Sequence, residues 1–135
     1  MILADTSAWI EFDRATGSRI DLRIKDLIEN TDDLAVTEPV LMEVLAGARS
    51  EERARQLRRL FSRFDLLSFE PVADFEGAAA IYRRCRRAGV TPRGLIDCMI
   101  AAVSLRTGAS LLTHDADLSR IAPLNGIHLD DASLI

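Results

Sequence analysis

The chain has 135 residues, a length that fits one domain, and 48% of them are hydrophobic, enough for a packed core. No apolar run approaches the roughly 20 residues of a membrane-spanning helix, and the first residues lack the basic segment and apolar stretch of a secretion signal. These features predict a cytoplasmic protein without a membrane span, and the net charge of −4 argues weakly against nucleic-acid binding.

The first half of the chain alternates short apolar runs with longer stretches of helical periodicity. Residues 2–5 predict a strand, and residues 18–30 place isoleucine and leucine on one face of a helix. A second strand at 34–36 precedes a helix that begins at Thr37, a residue suited to the N-cap position. Residues 51–64 predict another amphipathic helix, with leucine and phenylalanine on one stripe.

The second half of the chain continues this alternation. Residues 66–69 predict a third strand, and a helix follows from about 73 to 88. The next helix ends near Gly108, and strands are predicted at 110–113 and 126–129. Such alternation of fully apolar strands with helices is typical of an α/β fold whose mostly parallel sheet, here of about five strands, is covered on both faces.

Two acids follow predicted strands at the edge where ligands of parallel sheets bind. Asp5 ends the first strand, Asp115 follows the fourth, and the hydroxyls of Thr6, Ser7 and Thr113 stand beside them. Each acid has two interpretations that the residues leave open. It caps the helix that follows, or it belongs to a site in which a hydroxyl orients the carboxylate or a metal-bound water.

Two further acids interrupt apolar helical runs. Glu43 lies between Met42 and Val44, and Asp97 lies in the segment LIDCMIAA. An uncompensated buried carboxylate costs several kcal/mol or more, so each acid faces solvent or is compensated. If all four acids converge, each pair about 5 Å apart repels by about 3 kcal/mol at an effective dielectric near 20. Such a cluster must hold cations or keep protons, and its oxygen ligands favour Mg²⁺ or Mn²⁺.

Other candidate features are less specific. His114 and His128 are too few for a zinc site and fit no Ser/His/Asp pattern, and Cys85 and Cys98 are predicted to be buried free thiols. Arginines cluster in residues 48–63 and again in 82–94. These clusters are either solvated helix faces or a surface that binds phosphate or an acidic partner.

Three segments carry a family resemblance that spans nearly the whole chain. ILADTSAWIE, TEPVLMEVLAG and GLIDCMIAAVSLRTGASLLTHDADLSRI resemble the signature blocks of PIN-domain ribonucleases, and above all of the VapC toxins of bacterial toxin–antitoxin pairs. The resemblance implies one PIN domain over residues 1–135 with a three-layer α/β/α fold. Leu118 departs from it, since relatives often carry phenylalanine there, and this change concerns packing more than chemistry.

The resemblance also implies a site and an activity. It implies an endoribonuclease that depends on Mg²⁺, or on Mn²⁺, and cleaves RNA with metal-activated water, as the toxin of a toxin–antitoxin pair. The implied partners are an RNA substrate, a small antitoxin protein and a second copy of the chain. The implied site has four catalytic and metal-binding acids, one further metal-binding acid and two bordering hydroxyls: Asp5, Glu43, Asp97 and Asp115; Asp117; Thr6 and Thr113.

Two alternative functions differ in class. A PIN-like module could bind RNA or protein without catalysis, although the presence of all four acids speaks against this. A phosphatase similar to the haloacid dehalogenases would use Asp5 as nucleophile. That class requires a second aspartate two residues later, where Ser7 stands.

Overall fold

The computed structural model describes residues 1–133, which form a three-layer α/β/α fold around a parallel sheet. The strands are β1 (Ile2–Ala4), β2 (Leu34–Val36), β3 (Asp65–Leu66) and β4 (Ser110–Leu112). Their order in the sheet is β3-β2-β1-β4, and all three pairings are parallel. This order makes β1 and β4 direct neighbours, although they lie at opposite ends of the chain.

Seven helices cover the sheet within residues 1–133. Ser18 and Ser50 begin two of them, because each side chain accepts a hydrogen bond from a backbone N–H of the first turn. None of the helices in this part of the chain has the length and apolar content needed to cross a membrane. In chain order they are α1 (Thr6–Asp13), α2 (Arg19–Asn30), α3 (Glu38–Ala46), α4 (Glu51–Phe61), α5 (Pro71–Arg87), α6 (Leu95–Thr107) and α7 (Ala116–Leu124).

The sheet has four strands, one fewer than predicted. Residues 126–129 form only an isolated parallel bridge, in which Leu129 pairs with Leu111. The ladder stops there because the next backbone donor along this edge, the Thr113 N–H, binds the Ser133 hydroxyl instead of a backbone carbonyl. The segment therefore lies along the edge of β4 without extending the sheet.

One further local prediction needs correction, and one predicted cap position is confirmed. The third strand comprises only Asp65–Leu66 rather than residues 66–69, because the chain leaves the sheet to reach Pro71, where α5 begins. Thr37 occupies the N-cap position of α3, but its side chain makes no capping hydrogen bond. Pro39 in the first turn of α3 lacks an N–H, so one of the donors that a cap would satisfy is absent.

The core is continuous and contains both thiols. Trp9 is fully buried and packs edge-on against Phe12 and Phe61, with ring centroids 5.7 and 4.9 Å apart. Cys85 of α5 and Cys98 of α6 are buried and free, as predicted. Helices α5 and α6 thus form a tightly packed hairpin whose connecting loop, residues 88–94, leads directly into the first turn of α6, which carries Asp97.

Two buried acids away from the sheet edge have structural partners. Asp74 of α5 accepts hydrogen bonds from the Arg106 guanidinium at 2.9 Å and from the Glu70 N–H at 2.7 Å. Asp21 of α2 forms an ion pair with Lys25 at 3.3 Å. Each of these carboxylates is compensated by a cationic side chain, as the cost of burying a charge requires.

Candidate metal centre

The predicted acids meet at the carboxyl ends of the adjacent strands β1 and β4. Asp5 directly follows β1, and Asp115 begins α7 shortly after β4. Asp97 comes from the first turn of α6, and Glu43 comes from α3. The negative charges of Asp115, Asp5, Glu43 and Asp117 all act on Asp97.

Three carboxylates form the tightest part of this group. Asp97, Asp115 and Asp117 each offer one oxygen, and these three oxygens lie within 4.8 Å of one another. Asp5 and Glu43 border this set and are not members of it. Asp117, which the sequence predicted only as an additional ligand, is the most buried of the three. We call Asp97, Asp115 and Asp117 the acidic triad.

Asp97 is the carboxylate that the protein compensates least. Its side chain is half-buried and has no hydrogen-bond partner or cationic neighbour within residues 1–133. Burial, followed by repulsion from Asp115, Asp5 and Glu43, raises the pKa of Asp97 to about 7. Asp74, by contrast, is paired with Arg106. Asp97 is therefore a carboxylate without a positively charged partner in residues 1–133.

Asp5 both caps a helix and borders the triad, so its two interpretations are compatible. Its Oδ1 accepts hydrogen bonds from the Ala8 N–H of α1 at 2.9 Å and from the Ser7 hydroxyl at 2.7 Å. Its Oδ2 accepts a hydrogen bond from Thr113. Burial raises the pKa of Asp5 to about 6 despite these three bonds, which favour the charged form.

The two predicted hydroxyls each bind a carboxylate of the site. Thr6 donates to Glu43 Oε1 at 2.6 Å and so joins the start of α1 to α3. Thr113 donates to Asp5 and accepts a hydrogen bond from the Asp115 N–H at 3.0 Å. Ser7 accepts a hydrogen bond from the His114 N–H at 2.8 Å and thereby ties the β1 end to the β4 end. These bonds fix the carboxylates before any ligand binds.

Arg93 is the site residue that sequence reasoning did not single out. Its guanidinium donates to Asp115 Oδ1 at 2.7 Å, and its backbone N–H donates to Asp117 Oδ2 at 2.9 Å. In the sequence it is one of five arginines in residues 82–94, and no local pattern separates it from the others. The one available signal was its position directly before Gly94, the N-cap of the helix that carries Asp97.

The donor set fits a hard divalent cation. It consists of carboxylate oxygens, and one of them, on Asp97, has no positive partner in the described residues. The histidines lie elsewhere: His114 is near Glu11, and His128 is within hydrogen-bond distance of Ser110. The set therefore lacks the nitrogen and sulfur ligands that characterise zinc sites.

Comparison with known proteins identifies relatives over almost the full length. The PIN domain family matches residues 2–124. Ribonuclease VapC11 of Mycobacterium tuberculosis is 42% identical over 128 residues, which cover 94% of this chain and 96% of the relative. The VapC ribonuclease Mb1587 of Mycobacterium bovis matches with the same identity and coverage.

Solved structures show the same fold. The structure of VapBC2 from Rickettsia felis, bound to a promoter DNA fragment, superposes with a TM-score of 0.76 over 100% of both chains at 18% identity. DNA-bound VapBC from Salmonella typhimurium superposes with a TM-score of 0.77 over 97% of both chains at 24% identity. The family match over most of the chain and the 42% identity to two VapC proteins show that this chain belongs to the PIN-domain family.

Proposed function

We propose that this protein is a Mg²⁺-dependent endoribonuclease and the toxin of a toxin–antitoxin pair, with residues 1–135 acting as one PIN domain in the cytoplasm. The observation that carries the proposal is Asp97, a half-buried carboxylate that faces four other acids without a positive partner in residues 1–133. The names of the two VapC relatives, both ribonucleases, support RNA as the substrate. The oxygen-only triad supports Mg²⁺, with Mn²⁺ as a substitute.

Each acid has a role in this proposal. The acidic triad holds the cation, and Asp5 and Glu43 add negative charge beside it. When bound, Mg²⁺ lowers the pKa of the attacking water and neutralises charge that develops on the phosphate. Thr113 and Ser7 hold Asp5 in one orientation, and Thr6 does the same for Glu43. Because these contacts exist in advance, the site needs little reorganisation at the moment of reaction.

Cleavage of RNA tests the proposal directly. Purified protein, freed of antitoxin, should cut total RNA at discrete positions in the presence of Mg²⁺ and leave 5′-phosphate and 3′-hydroxyl ends, as attack by water on phosphorus predicts. Mapping of the cut ends is the measurement, and the same reaction in EDTA should give no cuts. RNA binding without cleavage under Mg²⁺ and Mn²⁺ would favour the alternative, a non-catalytic RNA-binding module.

We also propose that the protein forms a homodimer and binds a small antitoxin. Several large apolar side chains are exposed, among them Val72 and Phe75 of α5, at 72% and 56%. The structural relatives include VapBC complexes, which contain an antitoxin. Light scattering at micromolar concentration should therefore report twice the chain mass of 14.9 kDa. A strict monomer under these conditions would contradict the dimer.

A further inference from the structure

Arg93 contacts the acidic triad through both its backbone and its side chain, and the backbone contact is the more rigid. Its backbone N–H donates to Asp117 Oδ2, a buried carboxylate, and so the position of its main chain is fixed. Its side chain, by contrast, is 70% exposed and reaches the triad through its guanidinium, with Nη2 at 2.7 Å from Asp115 Oδ1 and Nε at 3.9 Å from Asp117 Oδ2. The guanidinium can therefore leave the triad without any change in the loop that carries it.

The tip of Arg93 occupies a specific oxygen. Asp115 Oδ2 is engaged in capping α7, where it accepts the Leu118 N–H at 3.0 Å. Asp115 Oδ1 takes no part in this cap, and Arg93 donates to it at 2.7 Å. A divalent cation held by the triad needs the negative charge of Asp115. If the Arg93 guanidinium stayed on the same carboxylate, it would lie a few ångströms from the cation, and the two positive charges would repel each other. The arginine and the cation are therefore competitors for Asp115.

The second arginine near the triad differs from Arg93. Arg120 lies 3.3 Å from Asp117 Oδ1, on the same helix and one turn away. No contact joins it to Asp115 or Asp97 in the described residues. Arg93 is thus the arginine whose position is most affected when a cation approaches Asp115.

We propose that Arg93 exchanges partners during the reaction cycle: it neutralises Asp115 in the cation-free protein and moves to an RNA phosphate once a divalent cation occupies the triad. This inference rests on the proposed ribonuclease function. The released guanidinium stays at the mouth of the site, because its main chain is bound to Asp117. Its planar fork matches the oxygens of a phosphate, and the bonds are charge-assisted. Arg93 thus orients the RNA phosphate in the loaded site and weakens cation binding in the empty one.

The proposal predicts effects of opposite sign in two assays on the Arg93→Ala protein. Without RNA, its Kd for Mn²⁺, measured by electron paramagnetic resonance of the free ion, should fall by about fivefold, since a partly exposed ion pair no longer competes. At saturating Mn²⁺, its KM for RNA should rise about tenfold, the usual size for loss of a charge-assisted hydrogen bond, with a smaller change in kcat. Arg93→Lys should keep Mn²⁺ affinity near wild type and recover part of the KM effect.

Arg14→Ala is the charge-matched control. Arg14 is exposed at the C-terminal end of α1, opposite the end that carries Asp5, and it lies outside both arginine clusters, so this variant removes an equal charge away from the triad. Both its Mn²⁺ affinity and its KM should stay near wild type. This control separates a local effect at Asp115 from a change in net charge.

The proposal makes two claims, competition with the cation and movement to an RNA phosphate, and each has a result that contradicts it. Unchanged or weaker Mn²⁺ binding by Arg93→Ala excludes competition, and an unchanged KM excludes the move to phosphate. Melting curves establish that the variants are folded, and Arg93→Gln replaces the alanine variant if it is not. If the wild-type protein cleaves no RNA, the proposed function fails, whereas the Mn²⁺ measurement still decides the competition.

Discussion

Replacing Asp97 with asparagine should reduce Mg²⁺-dependent RNA cleavage by about 100-fold or more, the scale expected when a group that holds a catalytic metal is lost. The amide keeps the size of the carboxylate but removes the negative charge that attracts the cation. In the unmodified protein, repulsion from Asp115, Asp5 and Glu43 contributes to the raised pKa of Asp97. The asparagine variant removes this repulsion. The cation-free variant should therefore be as stable as wild type or more stable.

A structural carboxylate should give the reverse pattern. Asp74→Asn breaks a buried ion pair with Arg106 at a distance from the site, so it should lower the free energy of unfolding by about 2 kcal/mol and leave cleavage near wild type. Rates of RNA cleavage and urea denaturation of both variants are the measurements. Cleavage at the wild-type rate by Asp97→Asn, in a preparation shown to be free of contaminating nuclease, would refute the assignment of Asp97.

The second large effect concerns the dependence of stability on pH and cation. The pKa values of Asp5 and Asp97 in the folded protein, about 6 and about 7, lie above the value of 3.8 for a free aspartate. The folded state therefore binds protons more tightly than the unfolded state. These two groups favour folding at low pH, and their contribution is lost as the pH rises through 6 and 7. In EDTA, the melting temperature should fall between pH 5 and pH 8.

A divalent cation should reverse this loss at high pH. A ligand that binds only the folded state at a hundredfold excess over its Kd adds about 2.7 kcal/mol, which corresponds to a rise of about 10 °C in melting temperature for a domain of this size. The rise should be large at pH 8 and small at pH 5, where protons occupy Asp5 and Asp97. Scanning calorimetry with Mg²⁺, Mn²⁺ or EDTA tests this, and Asp97→Asn serves as the control whose pH dependence is reduced. A melting temperature in EDTA that rises between pH 5 and pH 8 would contradict the assignment.

The elements near the site show what local pattern can predict. The strand at 34–36 was predicted with the bounds that the structure has, the helix α2 follows its apolar periodicity and its cap, and α6 ends at the predicted glycine. Periodicity records which side chains are buried, and caps and glycines record where a helix stops, as Gly108 does with φ of 76°. Both signals depend on residues within a few positions of each other. The predicted strand at 126–129 forms only one bridge because an apolar run does not reveal that the Thr113 N–H binds the Ser133 side chain instead of continuing the ladder.

The candidate site divides in the same way. The sequence by itself determined which acids were unusual, because Asp97 and Glu43 interrupt apolar runs and Asp5 and Asp115 follow strands. Only the tertiary structure decided which distant residues meet, because the neighbouring positions of β1 and β4 in the sheet bring Asp5 and Thr113, more than 100 positions apart, into a hydrogen bond.

The same holds for the contacts of Asp117 and Arg93. Asp117 joins the tightest group, and Arg93 meets Asp115, because the loop before α6 lies against the start of α7. The contact between Arg93 and Asp115 has no local signature, since a charged residue in a sequence pattern does not indicate which distant charge it will contact. The local sequence shows which charged residues need a partner, and the packing of distant segments determines which residue becomes that partner.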